Sequence, residues 1–119
     1  MNKRIVITGM GLVTPLGIGV APVWERLVAG QSGIRTNTRF DTTALPTHIA
    51  GLVPDIADDP AGLDINETIS PKERRKMDLF TIYALAAAEQ ALSQAGWKPE
   101  DEADRERTAT IIGTGIGGL

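Results

Sequence analysis

Cysteine is absent and histidine occurs once, at His48. These absences exclude a disulfide framework, a Cys/His zinc site and a cysteine nucleophile among the 119 residues. Long apolar runs are lacking too: the longest, Ile82 to Ala88, is too short to cross a bilayer and is followed by Glu89 and Gln90. Lys3 and Arg4 imitate the start of a secretory leader. However, Gly9, Gly11, Pro15, Gly17 and Gly19 interrupt the apolar helix a leader requires, and a cytoplasmic protein is expected. The chain is 42% hydrophobic and 23% charged, which places it among globular domains rather than disordered segments.

Apolar residues recur in patterns that alternate between strand and helix. Arg4 to Thr8 is short and β-branched and runs into Gly9-Met10-Gly11, which predicts a buried strand closed by a turn. Pro22 opens a predicted helix with Val23, Trp24, Leu27 and Val28 on one stripe, stopped by Gly30. Gln31 to Thr47 lacks a sustained period, Ile49 to Val53 reads as a short strand, and Pro54 to Gly62 breaks the chain again. This region is expected to form a long surface excursion. Ser70-Pro71-Lys72-Glu73 is a capping-box pattern that starts a helix, and Asp78 can cap a second one running to about Ala95, where Gly96 ends it. Continuity between the two helices is left open. Thr108 to Ile112 predicts a further strand ahead of Gly113 to Gly118.

Strands alternating with helices imply an α/β layered fold with parallel strands. From Leu79 to Leu92 only Thr81, Glu89 and Gln90 are polar, so the second helix needs cover on several sides. Three short strands and one amphipathic helix cannot supply that cover. The expectation is one piece, residues 1–119, of a larger layered assembly, with no second domain.

Few residues suggest chemistry. Gly9-Met10-Gly11 after a strand invites a dinucleotide-binding reading, but Thr14 replaces the third glycine and no acidic residue closes a second strand about twenty positions on. Gly113 to Gly118 lacks the Lys-Ser/Thr ending of a phosphate loop, and the plain reading is a strand bending against a neighbouring backbone. His48 has no partner at a recognisable spacing and is expected in a solvated loop. Asp55, Asp58, Asp59, Asp64 and Glu67 are scattered among breakers and are expected to keep a long loop in water. The basic run is different. Net charge is −3, yet Lys72, Arg74, Arg75 and Lys76 are four of the twelve basic residues and lie within five positions. Lys72, Arg75 and Lys76 stand at i, i+3 and i+4 and share one face of the capped turn. A solvated face would account for them; so would an acidic partner. Without interleaved aromatics or a further basic stripe, an acidic protein surface suits the patch better than nucleic acid.

Five ordered blocks resemble the β-ketoacyl-acyl carrier protein synthases, most closely their type II members. They are Arg4-Ile-Val-Ile-Thr-Gly-Met-Gly-Leu-Val-Thr-Pro-Leu-Gly17, Ala29-Gly-Gln-Ser-Gly-Ile34, Arg39-Phe-Asp41, Ile69-Ser-Pro-Lys-Glu-Arg-Arg-Lys-Met-Asp78 and Ile112-Gly-Thr-Gly-Ile-Gly-Gly118. The resemblance implies a thiolase-like αβαβα layered sandwich, of which this chain supplies an incomplete N-terminal part, and a homodimer as the complete protein. It implies decarboxylative Claisen condensation, with acyl carrier protein and its phosphopantetheine-linked acyl or malonyl group as partner. Neither cofactor, metal, nucleic acid nor membrane is implied. Lys72, Arg75 and Lys76 match the carrier-docking segment, and Ile116 matches a residue bordering the acyl channel. The family's catalytic cysteine and two histidines fall beyond Leu119, so the chain alone is expected to be inactive. A non-catalytic chain-length-factor-like partner is the runner-up, and a dinucleotide-binding domain a third reading.

Overall fold

The computed structural model describes residues 3–118. Met1, Asn2 and Leu119, included in the expected range 1–119, lie outside the described residues. A short hairpin opens the paired structure: β1 (Val13–Thr14) pairs antiparallel with β2 (Gly17–Ile18). Gly19, at φ 88°, then turns the chain into α1 (Val20–Val28), a backbone angle that favours glycine. The helix thus begins two residues before Pro22, and of its predicted stripe only Val23 is buried. Trp24, Leu27 and Val28 are exposed.

The second hairpin joins β3 (Ile34–Thr36) to β4 (Ile49–Gly51) in antiparallel register, with Arg35 opposite Ala50. β4 follows the sequence pattern. β3 lies inside the expected irregular excursion, because its residues are all exposed and leave no periodic burial signal. Two one-turn helices follow, α2 (Ile65–Thr68) and α3 (Pro71–Arg74). Asp64 caps α2 by accepting the Asn66 and Glu67 N–H groups.

α4 (Leu79–Ala95) runs separately from α3 and ends at Gly96 in the left-handed conformation, as the sequence predicts. Asp78 sits at its N-cap position but makes no side-chain cap bond. A last helix, α5 (Glu102–Glu106), is capped by Asp101. Leu63, Ile69, Ile82 and Ala86 form the core, with Val13, Ile18, Val53, Ile65, Met77, Leu79 and Tyr83 packed against it.

Two predicted strands are not strands. Arg4 to Thr8 and Thr108 to Ile112 join no sheet among the described residues, and Ile5 and Ile111 are 96% and 90% exposed. The reason is physical: a strand exists by its ladder to a neighbour, and neither segment has one. Among the described residues the expected parallel strands are therefore missing, and both strand pairs are antiparallel. α4 is likewise covered incompletely, by the core and by the Gly9–Leu12 segment, while Leu85 and Leu92 are exposed. The chain exposes 9551 Å² where a closed one of this size exposes roughly 6,200 Å². Its radius of gyration is 17.2 Å against about 13.5 Å expected.

Candidate functional site

The basic turn is fixed at both ends by the core. Ile69 is buried immediately before it and Met77 packs on the same cluster immediately after it. Between them Ser70 Oγ accepts the Glu73 N–H at 3.4 Å and donates to the Glu73 carboxylate at 2.8 Å, while Pro71 occupies the first helical position. Arg75 keeps helical backbone geometry, and Lys76 N–H closes a turn on the Glu73 carbonyl. Lys72, Arg75 and Lys76 are exposed and form no ion pair among the described residues. The nearest acidic group in sequence, Glu73, is tied to Ser70. The patch is thus positioned by apolar anchors and left free to meet an anionic surface.

The two glycine segments serve different ends. A side chain on Gly9 or Gly11 would collide with the carbonyl oxygens of Ala91 or Ala87 on α4. Gln94 then accepts the Met10 N–H at 2.7 Å, and Gln90 accepts the Leu12 N–H at 3.1 Å. These glycines bring backbone against a helix, so the motif is consumed by packing and offers no room for a pyrophosphate. In the second segment the space beside Gly113 and Gly115 is open, contrary to the expected contact with a neighbouring backbone. Only Gly117, at φ 80° beside the Phe80 ring, and Gly118, against the Asp78 carboxylate, make close approaches. Ile116, between Gly115 and Gly117, is 79% exposed.

Acidic residues expected merely to solvate a loop hold it instead. Arg26 Nη1 and Nη2 donate to the two Asp59 oxygens, each at 2.6 Å, and Nη1 also donates to the Leu16 carbonyl at 2.9 Å. Asp59 accepts the Ala61 N–H as well. The Arg26 guanidinium, and then the Ala61 N–H, hold the Asp59 carboxyl down to about 2. Asp41 is also lowered, by the Thr43 hydroxyl and then its N–H. His48 is an exposed loop residue, as expected, and its Nδ1 lies 3.2 Å from the hydroxyl of Thr42, a buried polar side chain. No cluster of three or more potential metal ligands occurs among the described residues. Among the described residues no helix is long and apolar enough to cross a membrane.

A cavity of about 780 Å³ adjoins the basic turn and is lined by Arg35, Arg39, Arg74 and Tyr83, among others. Arg39 Nη2 donates to the Tyr83 hydroxyl at 3.0 Å. Sequence reasoning missed this grouping, because its members lie on three elements and no linear spacing links them.

Residues 2–119 match the model of the β-ketoacyl synthase N-terminal domain. The 3-oxoacyl-[acyl-carrier-protein] synthase 2 of Rhizobium meliloti (strain 1021) is 44% identical over 117 residues, 98% of this chain and 28% of that protein. The protein of the same name from Vibrio cholerae is 44% identical, with 99% and 27% covered, and that of Staphylococcus aureus (strain N315) 40% identical, with 99% and 27% covered. The solved ishigamide ketosynthase/chain length factor superposes with a TM-score of 0.65 at 34% identity, over 78% of this chain and 21% of its own. The chain spans about a quarter of the length of the curated relatives it matches.

Proposed function

The chain belongs to the β-ketoacyl synthase N-terminal domain family, and from that membership we propose that the protein it represents is a 3-oxoacyl-[acyl carrier protein] synthase of fatty acid elongation. The observation that carries this reading is the 40 to 44% identity, over nearly the whole chain, to proteins of that name. The reaction is a decarboxylative Claisen condensation. A cysteine thiolate attacks the acyl thioester and expels the carrier thiol; malonyl carrier then loses carbon dioxide, and the resulting carbanion attacks the acyl-enzyme and releases the thiolate. This chain contains no cysteine, so the nucleophile must come from residues outside it.

The chain's own contribution is recognition. Lys72, Arg75 and Lys76, exposed on an anchored turn and without an ion pair among the described residues, are the surface for an acidic acyl carrier protein bearing a phosphopantetheine-linked acyl or malonyl group. Ile116 borders the acyl channel once further residues complete it. Residues 1–119 form the first part of a thiolase-like αβαβα sandwich in a cytoplasmic homodimer. The open face of α4 and the unpaired segments 4–8 and 108–112 are where the remaining layers pack.

The deciding experiment supplies the full-length protein with acyl carrier and malonyl carrier and follows carbon dioxide release. A product two carbons longer is expected. A folded protein that binds carrier yet forms no product would replace the synthase reading with that of a chain-length-factor-like partner.

A further inference from the structure

The cavity of about 780 Å³ beside the docking turn is lined by three arginines from separate parts of the chain, and Lys72 is not among its lining residues. Arg35 comes from β3, Arg39 from the loop after it, and Arg74 from the end of α3. Arg39 and Arg74 form no ion pair among the described residues, and Arg35 only approaches Asp59, at 4.0 Å. Tyr83 accepts from Arg39, which leaves its own O–H to donate elsewhere. Two carboxylates, Asp55 and Asp58, also line the cavity, and Asp55 is engaged by the Ala57 N–H of its own turn. Three cations against two anions leave the wall net positive. Apart from Thr36 and Thr38, its remaining lining is apolar and includes Val53 and the buried Leu63.

Such a wall selects a ligand with two parts. Guanidinium forks pair best with oxyanions, and a tetrahedral phosphate offers more acceptor sites to three forks and a hydroxyl than a planar carboxylate does. The apolar lining requires an organic body that gains by leaving water. We propose that this cavity is a binding site for a phosphate monoester carrying an apolar or aromatic group. This site uses none of the three docking residues and does not depend on the condensation reaction.

Phenyl phosphate is the probe, titrated calorimetrically into the full-length protein, with inorganic phosphate and phenol as the two half-ligands. Saturable binding tighter than either half-ligand is expected. Arg39→Gln and Arg74→Gln should each weaken it about tenfold, the scale of losing a charged hydrogen bond. Asp58→Asn should tighten it, a gain that misfolding cannot mimic. Absence of saturation in the folded full-length protein would overturn the site. Equal affinity for phenyl phosphate and inorganic phosphate would do so too, as would a double Arg39→Gln, Arg74→Gln variant that binds as wild type.

Discussion

Ile82 and Ile111 are the same residue in two regions of opposite character. Ile82 lies on α4 where β1, α2 and the residues after β4 converge, and it is 2% exposed. Ile111 lies in the β-branched run Thr108 to Ile112, yet it is 90% exposed, because no neighbouring strand or helix among the described residues covers it. Hydrophobic pattern therefore states what a segment needs, while burial depends on whether a partner is supplied. The sharpest way to break the comparison is truncation at both sites. Ile82→Ala should cost about 2 to 5 kcal/mol in denaturant unfolding. Ile111→Ala should stay within about 0.5 kcal/mol in the 119-residue chain. A core-sized cost for Ile111→Ala in the full-length protein would show that other residues cover it, as the layered sandwich requires; no cost there would count against that architecture.

The glycines divide in the same way. Gly11 sits against the Ala87 carbonyl of α4, whereas Gly113 faces open space. Gly11→Ala should destabilise by about 1 to 3 kcal/mol, since backbone on both sides must move apart. Gly113→Ala should change little. Similar losses at both positions would mean that Gly113 is packed in solution.

What was legible in the sequence follows from whether its cause is local. The cap at Ser70, the stop at Gly96 and the extent of α4 depend on residues within one turn of each other, and all three are found. The five blocks also identified the family, because ordered motifs survive without any knowledge of contacts. α2 and α5 were missed although Asp64 and Asp101 cap them, since one-turn helices have no period to detect. The Arg26–Asp59 pair joins residues 33 positions apart, and the arginine cavity joins three elements; neither leaves a linear trace. Arg4 to Thr8 failed for the opposite reason, because its strand pattern is intact and its partner is missing among the described residues.

The basic trio contrasts with Arg26 in a similar fashion, exposed and unpaired against half-buried and paired. Charge reversal of Lys72, Arg75 and Lys76 in the full-length protein should weaken acyl carrier protein binding between roughly threefold and a hundredfold at low salt. Added salt should narrow the difference. Unchanged affinity at low salt would remove the docking role. Ile116→Phe should shorten the longest acyl chain that the full-length protein accepts, and an unchanged product distribution would remove the channel role.

The smallest expected effect belongs to the Arg26–Asp59 pair, which is partly open to solvent, at 23% and 12% side-chain exposure. Its sign is nevertheless definite. Asp59 is held at about 2 in the folded chain, below the ordinary aspartate value of about 3.9. Its stabilising contribution is therefore complete above the unfolded value and is lost as pH falls toward the folded one. Asp59→Asn removes that dependence. The melting temperature of the wild type should exceed that of the variant near pH 6, and the gap should close between about pH 4 and pH 2. A gap that stays constant across this range would mean that Asp59 holds the loop by shape and neutral hydrogen bonds, and that the paired charges contribute nothing of their own.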